Sequence, residues 1–246
     1  MKRVLEAELM DAPAQAAVYA GPDLDSAYYL FVWCFKQFFP DLTPETDILD
    51  LGCGAAGIPL RLAKLLPACR IDGVDGADHM LEYGRKAVRE EELSHRVKLF
   101  HGRLPDSLNL PRSHYGAIVS NSFLHHLVDP MVLWNVLELY GEANAAILVV
   151  DLIRPSNEED VQNVIGKYMP DAPPLLRQDM INSLQAAFTM EEVAAQLQAA
   201  ELTEKLRLKR ISPFQFAAYG RLTGCENPLQ NMNKLMSIGE FNKEFE

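Results

Sequence analysis

The sequence has little cysteine, no excess of positive charge and no long apolar run, and each shortage excludes something. Its four cysteines, at positions 34, 53, 69 and 225, form no C-x-x-C pair. Neither a disulfide framework nor a zinc site is therefore expected, and the thiols read as reduced. No run approaches the roughly 20 apolar residues that cross a bilayer. The opening MKRVLEAELMDAPAQ carries acids where a secretory leader needs an apolar segment. A cytoplasmic chain with no membrane partner is expected. With 34 acidic against 23 basic residues the net charge is -11, which repels a phosphate backbone and argues against general nucleic-acid binding. Histidines and acids do not cluster at ligand spacing, and the adjacent His125 and His126 would diverge on most backbones, so no metal is expected. Repeats, low-complexity tracts and linkers are absent too, which favours a single domain over residues 1–246.

What is present is an alternation. The runs DILDLG, RIDGVDG, VKLFHG, YGAIVSN and AAILVVDL are apolar or β-branched and bounded by turn residues. Between them IPLRLAKLL, HMLEYGRKAVREEEL and MVLWNVLELY place apolar residues at helical spacing. This predicts a doubly wound α/β fold. Capping-box patterns at Ser156-x-x-Glu159 and Thr189-x-x-Glu192 predict helices near 157–168 and 190–200. TEKLRLKRI and QFAAYGRL follow, and the short Ser212-Pro213 connection predicts an antiparallel pair. The basic run Lys205–Arg210 reads as the solvated face of the first of these strands. Residues 1–40, with the aromatic DSAYYLFVWCFKQFF, and 154–188, with four prolines, fall outside the alternation and read as helical covers on a core of 45–222; 223–246 form a tail.

The segment Gly52-Cys53-Gly54-Ala55-Ala56-Gly57 fits G-x-G-x-x-G at a strand-to-helix turn, where backbone amides and a helix N-terminus approach a ligand. The pattern alone does not separate NAD from S-adenosylmethionine. Asp50 does. A carboxylate two residues before the first glycine would lie beside a dinucleotide's pyrophosphate, and at about 5 Å and an effective dielectric near 20 each like-charge contact costs on the order of 3 kcal/mol. A cofactor carrying an ammonium and a sulfonium suits it better. The competing reading has Asp50 only bonding loop amides. Asp75, at the end of the second run, sits where an acid accepts both hydroxyls of an adenosine ribose, in either cofactor. Asp72, mid-strand, is expected at an exposed edge or crossover.

The ordered set DLGCG at Asp50–Gly54, GVDGADHML at Gly73–Leu81, FHGRLPD at Phe100–Asp106 and SNSFLHHLVDP at Ser120–Pro130 resembles the class I S-adenosylmethionine-dependent methyltransferases. The resemblance implies a Rossmann-like seven-stranded sheet with an antiparallel last strand, in three α/β/α layers. It also implies a cofactor site: Gly52, Cys53 and Gly54 against the amino-acid end, Asp75 and Gly76 at the ribose, and Met80, Gly102, Arg103 and Leu104 around the adenine. Asn121 and Ser122 would face the methionyl part, and Tyr19 of the first cover would close over the cofactor. Two positions depart from the family pattern. Ala56 replaces its third glycine, and Gly102-Arg103 stands where Gly-Asp is frequent, so that a carbonyl or Asp106 would take over the adenine contact.

Methyl transfer from a sulfonium is an in-line displacement that chiefly needs alignment and exclusion of water. A base is required only when the acceptor must lose a proton, and His125 and His126, at the carboxyl edge of the sheet, are the candidates. Arg154, just after the fifth strand, either clamps an anionic substrate or forms a salt bridge, to Asp151 or to the cover. The Asn-Pro-Pro-Tyr motif of nucleic-acid adenine and protein glutamine methyltransferases is absent. A small-molecule acceptor methylated on O, N or S is therefore expected. The alternatives are an NAD-dependent oxidoreductase and a non-catalytic S-adenosylmethionine-binding sensor or partner subunit. No motif fixes the acceptor or the oligomeric state.

Overall fold

A computed structural model describes residues 1–6, 11–21, 25–104 and 108–222; Asp106 and the tail 223–246 lie outside them. Seven strands form one sheet: β1 (Asp47–Leu51), β2 (Arg70–Asp75), β3 (Val97–His101), β4 (Tyr115–Asn121), β5 (Gly141–Leu152), β6 (Leu206–Ser212) and β7 (Gln215–Arg221). Their order is β3-β2-β1-β4-β5-β7-β6. The first five run parallel, and β7 is antiparallel to both β5 and β6. This is the expected Rossmann-like sheet with a reversed end. Strand order turns back between β1 and β4, so the crevice for a ligand opens at the carboxyl ends of those two strands.

The sheet is apolar on both faces because alternate residues point to opposite sides. On β5, Ala146, Leu148 and Val150 join one cluster, while Ile147 and Val149 join the other. The first cluster lies under α2 (Asp25–Phe38), α3 (Gly57–Leu65) and α4 (Asp78–Glu90); the second lies under α5 (Met131–Tyr140) and α8 (Met190–Ala199). Phe31, Cys34, Phe35 and Phe38, spaced at three and four residues, form the buried stripe of α2. Phe38 stacks on Tyr219 of β7 with ring centroids 3.7 Å apart. None of the described helices is long and apolar enough to cross a membrane.

The elements beyond the sheet close its carboxyl edge. Helix α1 (Pro13–Tyr19) packs on α4 and on α7 (Pro174–Ala186), which in turn packs on α6 (Glu158–Tyr168). Residues 1–6 run beside the end of α7, held by the Val4 amide donating to the Gln185 carbonyl at 3.0 Å. Two expectations change. The cap of α6 is Asn157, whose side chain accepts from the Asp160 amide, so the capping pattern is displaced by one residue from Ser156. Asp72 is wholly buried, not at an edge. It accepts from the Tyr115 hydroxyl at 2.7 Å and pairs with Arg112, which neutralises a carboxylate that could not otherwise be buried.

Candidate functional site

After β1 the chain turns through Gly52 and Gly54, at φ of 76° and 51°, and enters α3 past Ala56, itself left-handed at 66°. The two glycines serve different ends. A Cβ on Gly52 would lie 2.5 Å from the Phe123 ring, whereas one on Gly54 would meet nothing within 4 Å. The first allows close packing of turn against turn; the second keeps the backbone open to a ligand. Asp75 fastens this turn, accepting from the Gly54 and Ala77 amides at 2.8 Å each. Its oxygens retain lone pairs for further donors such as ribose hydroxyls.

Asp50 behaves otherwise. It is 1% exposed, and neither carboxylate oxygen has a hydrogen-bond partner among the described residues. The loop amides are therefore held by Asp75, and Asp50 does not bond them. Burial, reinforced by the nearby Asp75 charge, pushes its pKa up to about 8. A buried carboxyl without a partner is costly unless a cation or donor meets it. The ammonium of S-adenosylmethionine fits that need, and a pyrophosphate would add charge of the wrong sign.

Gly52, Asp75, Gly76, Gly102, Arg103 and Leu104 line a partly open cleft, together with Phe123. Six of these lining residues are among those expected from the sequence, and Leu51, Val74, Phe123 and Leu127, which also line the cleft, are not. Cys53 lies beneath it, 6% exposed, its thiol pushed up by burial. Met80 is buried with Ala16 and Ala77, and Tyr19 packs on that group, so α1 covers this end of the turn. Asn121 ends β4, and Ser122 follows in the left-handed region, its amide donating to Val150 O at 2.8 Å.

A second, polar group lies past β4. A 3-10 turn at Leu124–His126 brings the two imidazoles together, with centroids 4.3 Å apart. His125 Nδ1 is 2.6 Å from Asp151 Oδ1 at the end of β5, and Nε2 is 3.2 Å from Glu6 Oε1. His126 Nδ1 lies 3.4 Å from the same Glu6 oxygen. The expectation that the histidines diverge is thus corrected, because the tight turn points both rings at one acid. Burial disfavours a charge on His125, but Asp151 and Glu6 outweigh it and lift its pKa to about 9.

Arg154 does not reach into an open pocket. It is buried, pairs with Glu192 at 2.7 Å and donates to the Ala187 and Met1 carbonyls. With its guanidinium engaged on three sides Arg154 forms a salt bridge rather than a substrate clamp, but its partner is Glu192 of α8 and not Asp151 or the cover. Arg3 and Glu6 were not singled out from the sequence. Arg3 donates to the Ala186, His125 and Leu127 carbonyls and lies 3.8 Å over the Phe188 ring. In MKRVLE the alternating charges look like a solvated segment, and nothing local marks them otherwise.

Residues 48–140 match the family model of a methyltransferase domain. A demethylmenaquinone methyltransferase of Listeria welshimeri is 26% identical over 112 residues, covering 45% of this chain and 47% of that protein. A trans-aconitate 2-methyltransferase of an Enterobacter species is 34% identical over 106 residues, or 39% of each chain. The chain thus spans less than half the length of these curated relatives. Among solved structures, the plantazolicin methyltransferase BpumL in complex with S-adenosylhomocysteine superposes with a TM-score of 0.66 at 15% identity, covering 85% of this chain and 90% of that one. Residues 48–140 thus match a methyltransferase domain, and the strand order and the glycine turn are those of the class I S-adenosylmethionine-dependent methyltransferase fold.

Proposed function

We propose that the protein transfers a methyl group from S-adenosylmethionine to an oxygen, nitrogen or sulfur atom of a small-molecule acceptor, as a single cytoplasmic domain. The observation that carries this reading is the buried Asp50 carboxyl, without a hydrogen-bond partner among the described residues, behind a glycine turn that is open at Gly54. When bound, the cofactor supplies an electrophilic methyl group on a cationic sulfur. The chain's part is to hold and align. Asp50 would meet the ammonium, Asp75 the ribose, and Gly102, Arg103 and Leu104 the adenine end of the cleft. Tyr19 and Met80, with α1 over the turn, would exclude water.

The acceptor would enter beside His125, His126 and Glu6, beneath the segment 1–6 and α7. Relatives named for a quinone and for a small organic acid support an acceptor of that size, and the net charge of -11 disfavours nucleic acid. Because the Asp151 and Glu6 charges favour the protonated imidazole, His125 is a poor base at neutral pH, and alignment carries the larger share of the catalysis. The test is release of S-adenosylhomocysteine across a panel of small hydroxyl, amine and thiol acceptors. Turnover with at least one acceptor, lost in Asp75→Ala, is expected. Tight cofactor binding with no turnover on any acceptor would favour the sensor reading, and binding of NAD in place of S-adenosylmethionine would overturn both.

A further inference from the structure

At the carboxyl edge of the sheet, two distant parts of the chain bring three potential metal ligands together. Glu6 Oε1, His125 Nε2 and His126 Nδ1 all lie within 4.8 Å of one another. The two nitrogens approach the same carboxylate oxygen at 3.2 and 3.4 Å. Neither His125 Nε2 nor Glu6 Oε1 has a hydrogen-bond partner among the described residues, although the side chains are only 2% and 9% exposed. At 3.2 Å the His125 nitrogen and the Glu6 oxygen stand close with no hydrogen bond between them. The spacings do suit a metal. Ligands at ~2.0–2.1 Å from a tetrahedral zinc ion stand ~3.3 Å apart along the edges.

We propose that Glu6 Oε1, His125 Nε2 and His126 Nδ1 form a three-ligand site for a divalent transition-metal ion of the zinc class. Two imidazoles and one carboxylate are a donor set that such ions accept, and they leave a fourth position for water or an acceptor atom. The outer shell is in place as well. Asp151 takes the other ring nitrogen of His125 at 2.6 Å, fixing the ring so that Nε2 is the coordinating atom. Ser183 Oγ lies 3.3 Å from the remaining oxygen of Glu6, leaving Oε1 to the metal. Arg3 secures the backbone carbonyl of His125 at 2.9 Å, so the turn that presents both rings is pinned from outside. The ion would replace the proton between Nε2 and Oε1, with no change in the fold.

The experiment uses the full chain, stripped with a chelator and titrated with Zn2+ against a chromophoric chelator, and separately with Co2+. One equivalent should bind, and the Co2+ form should show the intense visible absorption of a four-coordinate ion. Glu6→Gln and His126→Ala should each weaken binding by at least about 100-fold, and Asp151→Asn by about 10–100-fold. Circular dichroism establishes that each variant is folded. Where one is not, the stoichiometry and Co2+ spectrum of the unaltered chain decide. Failure of the folded protein to take up one equivalent, or full-strength binding by Glu6→Gln, would overturn the site. S-adenosylhomocysteine binding, measured on the same samples, tests the methyltransferase reading separately, since the metal site does not depend on it.

Discussion

At the residue scale Asp50 sets a measurable pH dependence. Its folded pKa, about 8, lies above the ordinary 3.8, so between those values the folded chain holds a proton that the unfolded chain has lost. The ligand-free protein should therefore lose stability as pH rises from about 4 to about 8, and Asp50→Asn should flatten that slope. Cofactor binding runs the other way, because an ammonium favours the ionised carboxylate. The groups facing Asp50 are Asp75, Cys53 and Tyr28, none of them cationic. At pH 7, S-adenosylhomocysteine binding should thus release about one proton, seen by calorimetry in buffers of different ionisation enthalpy, and none in Asp50→Asn. Equal proton release in both would remove Asp50 from the site. The glycines supply a second contrast. Gly52→Ala drives a Cβ into the Phe123 ring and should unfold the turn, whereas Gly54→Ala meets open space and bears only the left-handed strain of about 1–2 kcal/mol. Gly54→Ala should therefore keep its melting behaviour near that of the unaltered chain yet lose most cofactor affinity.

At the scale of elements, caps and pins can be ranked. Thr189 caps α8 with a full capping box to Glu192, while α6 is capped by Asn157. Thr189→Ala and Asn157→Ala should each cost about 1 kcal/mol in denaturant unfolding, and Ser156→Ala close to nothing. A loss at Ser156 equal to that at Asn157 would restore the unshifted box. Such features were legible in the sequence because they are local: seven strands follow from alternation and turn residues, and the glycine turn from its own spacing. The polar group at the sheet edge was not. Glu6 and His125 are 119 positions apart in the sequence, and only the path of residues 1–6 past the end of α7 brings them together. The His125 and His126 rings converge because of a three-residue 3-10 turn, too short to leave a periodic signal. Asp72 misled for a related reason, since its partners Arg112 and Tyr115 come from a loop and strand some 40 residues away.

At the scale of the whole molecule, the cofactor cleft ties together parts that otherwise meet only through the sheet. It is walled by the ends of β1 and β2, the segment after β3 and the turn after β4, and it is roofed near the glycine turn by α1. A ligand there binds the folded chain and not the unfolded one, so its binding energy adds to global stability. At a concentration 100 times the dissociation constant this amounts to about 2.7 kcal/mol. For a chain of 246 residues that corresponds to a rise of about 5–10 °C in the melting temperature. S-adenosylhomocysteine should produce such a rise, and NAD at the same concentration should leave the melting temperature unchanged, because its pyrophosphate would face Asp50. Asp75→Ala should abolish the response while lowering the basal melting temperature, since the Gly54 and Ala77 amides would lose their acceptor. An equal rise with NAD would mean that the acid before the glycine turn does not select cofactors by charge, and the methyl-transfer reading would lose its main support.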